Sequence, residues 1–183
     1  MATLFVDKVD PQSGTALEIG SSGDTITIPS GCTITNNGKQ TGFGGTMTPA
    51  FEATLGSNQN LSNNTFTKVQ FNTEIFDTDN NYDNSTNYRF TPGVAGKYVL
   101  SATAQVQNCG NGNIFYVGIY KNGSALKTNN IIPGASDDLS GMITYIDVAN
   151  TTDYYEIYSR QGSGGTQPLL NYGTWFSAYK IIE

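Results

Sequence analysis

The chain has 183 residues, a formal net charge of −6 at pH 7 and no histidine. The missing histidine excludes Ser-His-Asp and Cys-His catalysis, imidazole metal sites and a histidine pH switch. The lack of clustered Lys and Arg argues against electrostatic binding to nucleic acid or to an anionic membrane. A composition rich in Gly, Asn and Thr favours one domain, or one domain with a small appendage, made of short strands and many turns.

Residues 1–14 predict a single strand or arm. The alternating run from Leu4 to Val9 is followed by a turn from Asp10 to Gly14. An isolated strand leaves its backbone groups unpaired, so we expect this arm to anchor the chain to another protein. The first residues lack the basic and apolar regions of a secretory signal, and no later window approaches a membrane span, so we expect a protein made without export.

Residues 15–38 repeat a short unit in which alternating apolar residues precede a polar turn that ends in Gly. Three such units are too few to bury a face within one chain. Three chains wound about a common axis would bury the apolar positions of the repeat against each other. These positions are Leu17, Ile19, Ile26, Ile28 and Ile34. We therefore predict a short trimeric β-spiral stem, and the alternative is a flexible Gly/Ser linker.

Residues 39–48 have no period and contain Gly42, Gly44 and Gly45, which predicts a hinge. From residue 49 onward, short runs of alternating polarity are separated by Gly, Pro and Asn-rich turns, which predicts antiparallel strands. An apolar strand is expected at 114–120, a loop at 129–138 and a further strand at 140–148. No stretch has helical periodicity, so the predicted fold class is all-β.

The second part of the chain has a series of landmarks in a fixed order. They are Phe71-Asn72, Phe76-Asp77, Tyr82-Asp83, Phe90-Thr91-Pro92, Gly96-Lys97-Tyr98, Lys121-Asn122-Gly123, the run from Asp153 to Tyr158 and the run from Trp175 to Ile182. This order resembles that of the C1q/TNF-like jelly roll, a trimeric domain found in complement C1q and in bacterial and phage fibres. The resemblance covers roughly residues 48–183 and implies a homotrimeric jelly-roll sandwich as the head, residues 49–183. Residues 15–38 are similar to the stems of phage fibres.

Three carboxylates, Asp77, Asp79 and Asp83, lie close together in an Asn-rich stretch. Oxygen-rich loops suit Ca²⁺, and some members of the resembling family bind calcium. The stretch lacks the Gly and the distal Glu of an EF-hand loop, so we expect no metal or other cofactor, and these three residues are the candidate ligands should Ca²⁺ bind. Cys32 and Cys109 are far apart in sequence, which favours two buried or half-buried thiols over a disulfide.

Exposed loops on a rigid scaffold are the expected place for a recognition surface. The candidate residues are Gly110, Asn111, Gly112, Asn113, Ser163, Gly164 and Gly165. The late-strand tyrosines and Trp175 could instead form a saccharide-stacking platform. We expect them to fill the core or a subunit interface.

The chain is therefore interpreted as a non-enzymatic structural and binding protein at the surface of a phage particle, assembled in the host cytoplasm. It is expected to form a homotrimer, to contact other virion proteins through residues 1–14 and to meet a host glycan or protein through the head. It is not expected to bind nucleic acid or to insert into a membrane. The alternatives are a capsid decoration protein, a bacterial carbohydrate-binding module and, more distantly, a glycan hydrolase, whose carboxylate pair has no sequence spacing by which to recognise it.

Overall fold

The computed structural model describes residues 9, 11, 13–35, 37, 47–134 and 138–181. The chain divides into two compact units, Met1–Phe43 and Gly44–Glu183, which are described separately. Within the described ranges, no helix is long and apolar enough to cross a lipid bilayer.

In the first unit, residues 13–35 consist of turns and connecting segments that form no strand. The N–H of Asp24 donates to Ser21 O at 3.0 Å, and the N–H of Cys32 donates to Pro29 O at 3.2 Å. In both turns a glycine with positive φ stands third, which is the requirement of a type II turn. The two turns begin eight residues apart in the sequence, as the predicted repeat requires, but the packing of stem chains stays a prediction.

The second unit contains thirteen strands and one short 3₁₀ turn among its described residues. The strands are β1 (Ala50–Thr54), β2 (Gln59–Leu61), β3 (Thr67–Lys68), β4 (Thr73–Asp77), β5 (Tyr82–Asp83), β6 (Arg89–Phe90), β7 (Gly96–Val106), β8 (Phe115–Lys121), β9 (Ser124–Ile131), β10 (Leu139–Ala149), β11 (Tyr155–Gln161), β12 (Gln167–Leu169) and β13 (Trp175–Lys180). The 3₁₀ turn spans Asn171–Gly173.

The strands form two antiparallel sheets. Sheet I has the order β2-β12-β7-β13-β1-β4, with β10 also paired to β7. Sheet II has the order β5-β6-β11-β8-β9, with β3 also paired to β11. Two faces packed against each other in this way form a β-sandwich, in which each strand alternates between core and surface.

The core lies between the sheets. In β7, Tyr98, Leu100 and Ala102 are fully buried, while the residues between them are half-buried on the outer face. The Phe51 ring of β1 stacks on Phe90 at a centroid distance of 4.7 Å and meets Phe176 edge-on at 4.9 Å. These aromatic contacts link the two sheets, since Phe51 and Phe176 belong to sheet I and Phe90 to sheet II. The period-two prediction is thus confirmed.

The Asn122-Gly123 turn between β8 and β9 forms a two-residue hairpin. Both residues have positive φ, 52° and 78°, which is the geometry of a type I′ turn. The predicted loop at 129–138 begins later than expected, because β9 continues to Ile131. Asn129 pairs with Val117 of β8, and its side-chain amide donates to the carbonyl oxygen of residue 142 at 2.9 Å, so tertiary contacts outweigh the low strand preference of Asn.

Both cysteines are free, but their environments differ. Cys109 is buried in the head core, as expected. Cys32 is exposed in the first unit, so the expectation of burial is wrong for this thiol in the single chain.

Candidate recognition surface

The two loops singled out from the sequence lie at the same end of the head. Val106 pairs with Leu139 and Leu169, whereas Gly96, at the other end of β7, pairs with Ala149. The segment that follows Val106 and the segment that precedes β12 therefore share one end of the sandwich. This end is opposite the one at which Ala50 begins β1, because Ala50 lies across from Tyr179, which in turn lies across from Val99 near the start of β7. We call this the loop end.

The loops also touch each other. A Cβ on Gly162 would lie 3.4 Å from Asn64 Oδ1 and 3.6 Å from Ile114 O. Burial raises the pKa of the neighbouring Cys109 thiol, and a hydrogen bond from the Gly162 backbone opposes that shift. The glycine therefore lets three segments approach closely: the turn at 62–65, the loop at 107–114 and the loop at 162–166.

Residues 110–113 form a turn stabilised by its own amides. Gly110 and Gly112 have φ values of 84° and 77°, which a β-carbon would strain. Asn113 closes the turn, since its N–H donates to Gly110 O at 3.3 Å and its side-chain amide donates to Cys109 O at 3.1 Å. The Gly112 N–H donates to Pro133 O at 3.1 Å, which ties this loop to the next one. Asn111 and Gly112 are exposed at its tip.

Residues 163–165 are held by a buried glutamine. Gln161 is fully buried, and its Nε2 donates to Leu61 O at 3.0 Å and to Gly165 O at 2.8 Å. Its Oε1 accepts the Ser163 N–H at 2.7 Å. The Gly164 N–H donates to Asn63 Oδ1 at 2.9 Å. Hydrogen bonds to Gln161 and Asn63 therefore hold this loop. Sequence reasoning identified neither residue.

Polar and aromatic side chains continue from the loop end onto the outer face of sheet II. Arg160 Nη2 donates to Asn64 Oδ1 at 2.7 Å, and the guanidinium lies 5.3 Å from the Phe66 ring centre. Phe66 is 49% exposed and meets Tyr116 edge-on. Sequence reasoning did not identify this extension, since the turn-forming residues around Asn63 and Asn64 indicate a turn and not a binding site.

The late-strand aromatics divide between core and surface. Tyr155 is fully buried, and Tyr116 is nearly so because Phe66 covers it. The rings of Tyr120 and Tyr158 pack against each other on the outer face of sheet II, with their centroids 4.3 Å apart. Tyr145 is half-buried against the core. The expected core role is therefore confirmed for part of the set, and an interface role stays a prediction for the others.

The three candidate calcium ligands are engaged within the chain. Asp83 accepts the backbone amides of residues 85, 86 and 87, and these bonds hold the pKa of its carboxyl well below the usual range. Asp77 accepts the N–H of Tyr82 at 2.7 Å, and Asp79 Oδ2 accepts the hydroxyl of Thr78 at 2.7 Å. Among the described residues, no group of three acidic, Cys or His side chains is placed to hold a metal ion.

Two apolar surfaces are open in the single chain. The first is the predicted stem set, Leu17, Ile19, Ile26, Ile28 and Ile34, whose side chains are between 45% and 65% exposed. The second is the outer face of sheet I, where Met142, Ile146 and Val148 of β10 expose 62%, 55% and 62%. Register places Ile146 beside Val99, and Val99 beside the partly exposed Tyr179 of β13, so this apolar face extends over three strands.

Comparison with known proteins finds no protein-family model and no curated protein sequence that matches the chain. Solved structures do match. The globular domain of zebrafish complement 1qA protein aligns with a TM-score of 0.53 and 16% identity, covering 73% of this chain and 97% of that one. Murine APRIL at pH 5.0 gives a TM-score of 0.55 and 11% identity, with coverages of 72% and 98%.

A third similar structure is PRD1 vertex protein P5, with a TM-score of 0.55, 17% identity and coverages of 75% and 99%. At these identities the likeness concerns the fold. The all-β prediction and the C1q/TNF-like jelly roll are confirmed.

Proposed function

We propose that this chain is the subunit of a homotrimeric appendage of a phage particle. Residues 1–14 attach it to the particle, residues 15–38 form a three-chain stem, and the jelly-roll head meets the host surface through its loop end. The protein acts by binding and by building structure, and not by catalysis.

The observation that carries the proposal is the apolar outer face of sheet I. Ile146, Val99 and Tyr179 lie in one row across three strands. On the same face of β10, Val148 is the next residue after Ile146, and Met142 lies beyond Thr144. Exposed apolar side chains grouped on one face mark an interaction site more often than singly scattered ones do. Because closed symmetric assembly is the commonest way to cover such a face, copies of the same chain are the simplest partner.

The exposed stem residues support three copies in particular. A segment that has turns every eight residues but no strand pairing among residues 13–35 leaves its backbone and its Ile side chains open to water. Parallel chains about one axis would pair the backbone groups with each other and bury the Ile side chains. The C1q/TNF-like fold of the head, which the sequence resemblance links to trimers, agrees with this stoichiometry.

The likeness to a vertex protein supports a place on a particle, and the ordered polar loop end supports a role in recognition. A capsid decoration protein would use the same trimer and differ in what the two ends contact.

Two measurements test the proposal. Light scattering on the full-length protein should give three times 19.6 kDa. Labelling the protein on intact particles, followed by electron microscopy, should place it on the outer surface. A stable folded monomer at micromolar concentration contradicts the trimer, and a particle without the protein contradicts the location.

A further inference from the structure

A polar cavity of about 640 Å³ opens on the head, away from the loop end. Its walls come from Glu74 of β4, from residues 80–85, from Arg89 of β6 and from Thr91 and Gly93. The volume falls in the range of small-molecule sites, roughly 300–1,000 Å³. No sequence motif pointed to it, because its walls come from three separate segments.

Hydrogen bonds within the chain hold the wall of the cavity in place. Asp83 holds the turn that follows it through the amides of Ser85 and Thr86, at 3.1 and 2.8 Å. Asn81 joins residues 80–85 to residues 91–93. Its side-chain Nδ2 donates to Pro92 O at 2.7 Å, and its backbone carbonyl oxygen accepts the Thr91 N–H at 2.8 Å. A site whose walls are already ordered loses little entropy when a ligand binds.

Other side chains of the lining have hydrogen-bonding capacity to spare. They are Glu74, Asn80, Asn84, Arg89 and Thr91. Within the described part of the chain, these five side chains form no hydrogen bond and no ion pair with one another or with other residues. The guanidinium of Arg89 lies 4.5 Å from the centre of the Tyr154 ring, which restrains it without using its N–H donors.

The charges narrow the class of ligand. Arg89 is the one cation in the lining, and Glu74 and Asp83 are carboxylates, so an anionic ligand would meet net repulsion. Desolvation and, to a smaller extent, the charge of the nearby Asp77 raise the pKa of the Glu74 carboxyl. A bare metal ion lacks a converging set of ligands among the described residues.

A hydroxyl group both donates and accepts, and carboxylate, amide and guanidinium groups together satisfy both capacities. We propose that this cavity binds a neutral, hydroxyl-rich oligosaccharide, with Arg89 and the two asparagines as donors and Glu74 as acceptor. The inference goes beyond the proposed function, because it concerns the head itself and does not depend on where the protein is attached.

The test uses the full-length protein on an array of neutral di- to hexasaccharides of glucose, galactose, mannose and N-acetylglucosamine, with sialylated and uronate-containing glycans beside them. We expect retention of at least one neutral glycan and weaker retention of anionic glycans. Failure of every neutral glycan to bind, or binding of anionic glycans alone, overturns the proposal.

The retained glycan is then titrated against variants with matched controls. Thr91→Val and Asn84→Ala should weaken binding about tenfold each, since each removes hydrogen bonds to the ligand. Thr128→Val and Asn130→Ala, the same changes on exposed positions of β9, should leave the affinity unchanged. Equal affinities for all four variants would place the glycan elsewhere on the head and overturn this site. Thermal unfolding of each variant separates loss of the site from loss of the fold, and none of these results depends on particle labelling.

Discussion

Asn122 and Asp153 are joined across the end of sheet II at which β8 turns into β9, where Asn122 Nδ2 donates to Asp153 Oδ1 at 2.8 Å. The other carboxylate oxygen accepts the Asn150 N–H at 2.8 Å and lies 3.0 Å from Lys121 Nζ. The Tyr154 N–H donates a hydrogen bond to Asn122 Oδ1 at 3.0 Å. The hairpin tip is thus tied to the segment that opens β11, and Asp153 is 7% exposed at the centre of the arrangement.

This arrangement predicts a stability that depends on acid. The hydrogen bonds from Asn122 and Asn150 and the charge of Lys121 lower the pKa of Asp153 to about 2, from 3.8. Because the folded-state pKa is the lower one, the carboxylate stabilises the fold above about pH 4, and this contribution is lost as the pH falls toward 2. Asp153→Asn should cost about 2 kcal/mol at pH 7. The difference from the unmodified protein should shrink between pH 4 and pH 2 in denaturant titrations.

Asp138→Asn is the matched control, since Asp138 is exposed and accepts a single long bond of 3.4 Å. It should change the unfolding free energy by less than about 0.5 kcal/mol at every pH. A cost for Asp153→Asn that stays the same from pH 7 to pH 2 would show that the charge of this carboxyl is not what stabilises the turn.

The apolar face of sheet I gives the second prediction. Ile146→Asp places a charge in the middle of the face, where a subunit contact would leave it desolvated at a cost of several kcal/mol. The head should still fold, because Ile146 is 55% exposed in the single chain, but light scattering should show monomers. Thr128→Asp, on an exposed position of sheet II, should remain trimeric. A trimer of unchanged stability for Ile146→Asp would exclude this face from the interface.

The third prediction concerns the stem. Ile26→Asp would bring three carboxylates together around one axis, where like charges in a desolvated site repel strongly unless they take up protons. Residues 15–38 should then become sensitive to protease, while a chain that begins at Thr48 still folds and forms trimers. Thr27→Asp, on the opposite side of the alternating run, is the control and should leave the stem resistant. Unchanged protease resistance for Ile26→Asp would favour the linker alternative.

Local patterns predicted what local chemistry determines. The Asn122-Gly123 turn follows from two residues that tolerate positive φ, and the long strands β7 and β10 follow from uninterrupted alternation. Strand β12 was not predicted, since three residues carry no period and it exists because Leu61 and Val106 pair with it. The fold class could be predicted because the order of the Phe, Pro, Gly and Tyr landmarks is recognisable even where a strand is too short to show a period.

The candidate site was predictable only in part. Glycines and asparagines identified the loops at 110–113 and 163–165, because turn residues have local preferences. The burial of Gln161 could not be predicted, since glutamine is usually exposed and its partner Leu61 lies 100 residues away in the sequence. The cavity beside Arg89 was missed for the same reason, because Glu74 and Thr91 meet only when β4 and β6 are placed by other strands.

The last prediction separates the two ends of the chain. Residues 1–14, most of which lie outside the described residues, contain an alternating apolar run that nothing in the stem repeat can pair. Deleting residues 2–14 should abolish incorporation into particles and leave a trimer in solution, as measured by blotting purified particles and by light scattering.

Replacing residues 110–113 or 163–165 with loops of equal length should leave incorporation intact, because these loops lie at the end of the head opposite Ala50. The same variants then divide the two leading functions. Reduced adsorption of the particles to cells supports host recognition, since the loop end supplies the contacts that adsorption needs. Normal adsorption, together with capsids that break at lower temperature when the arm is deleted, supports decoration. Particles that keep the protein without residues 2–14 but lose it when the loops are replaced would show that the loop end makes the attachment, and would reverse the orientation proposed for the chain.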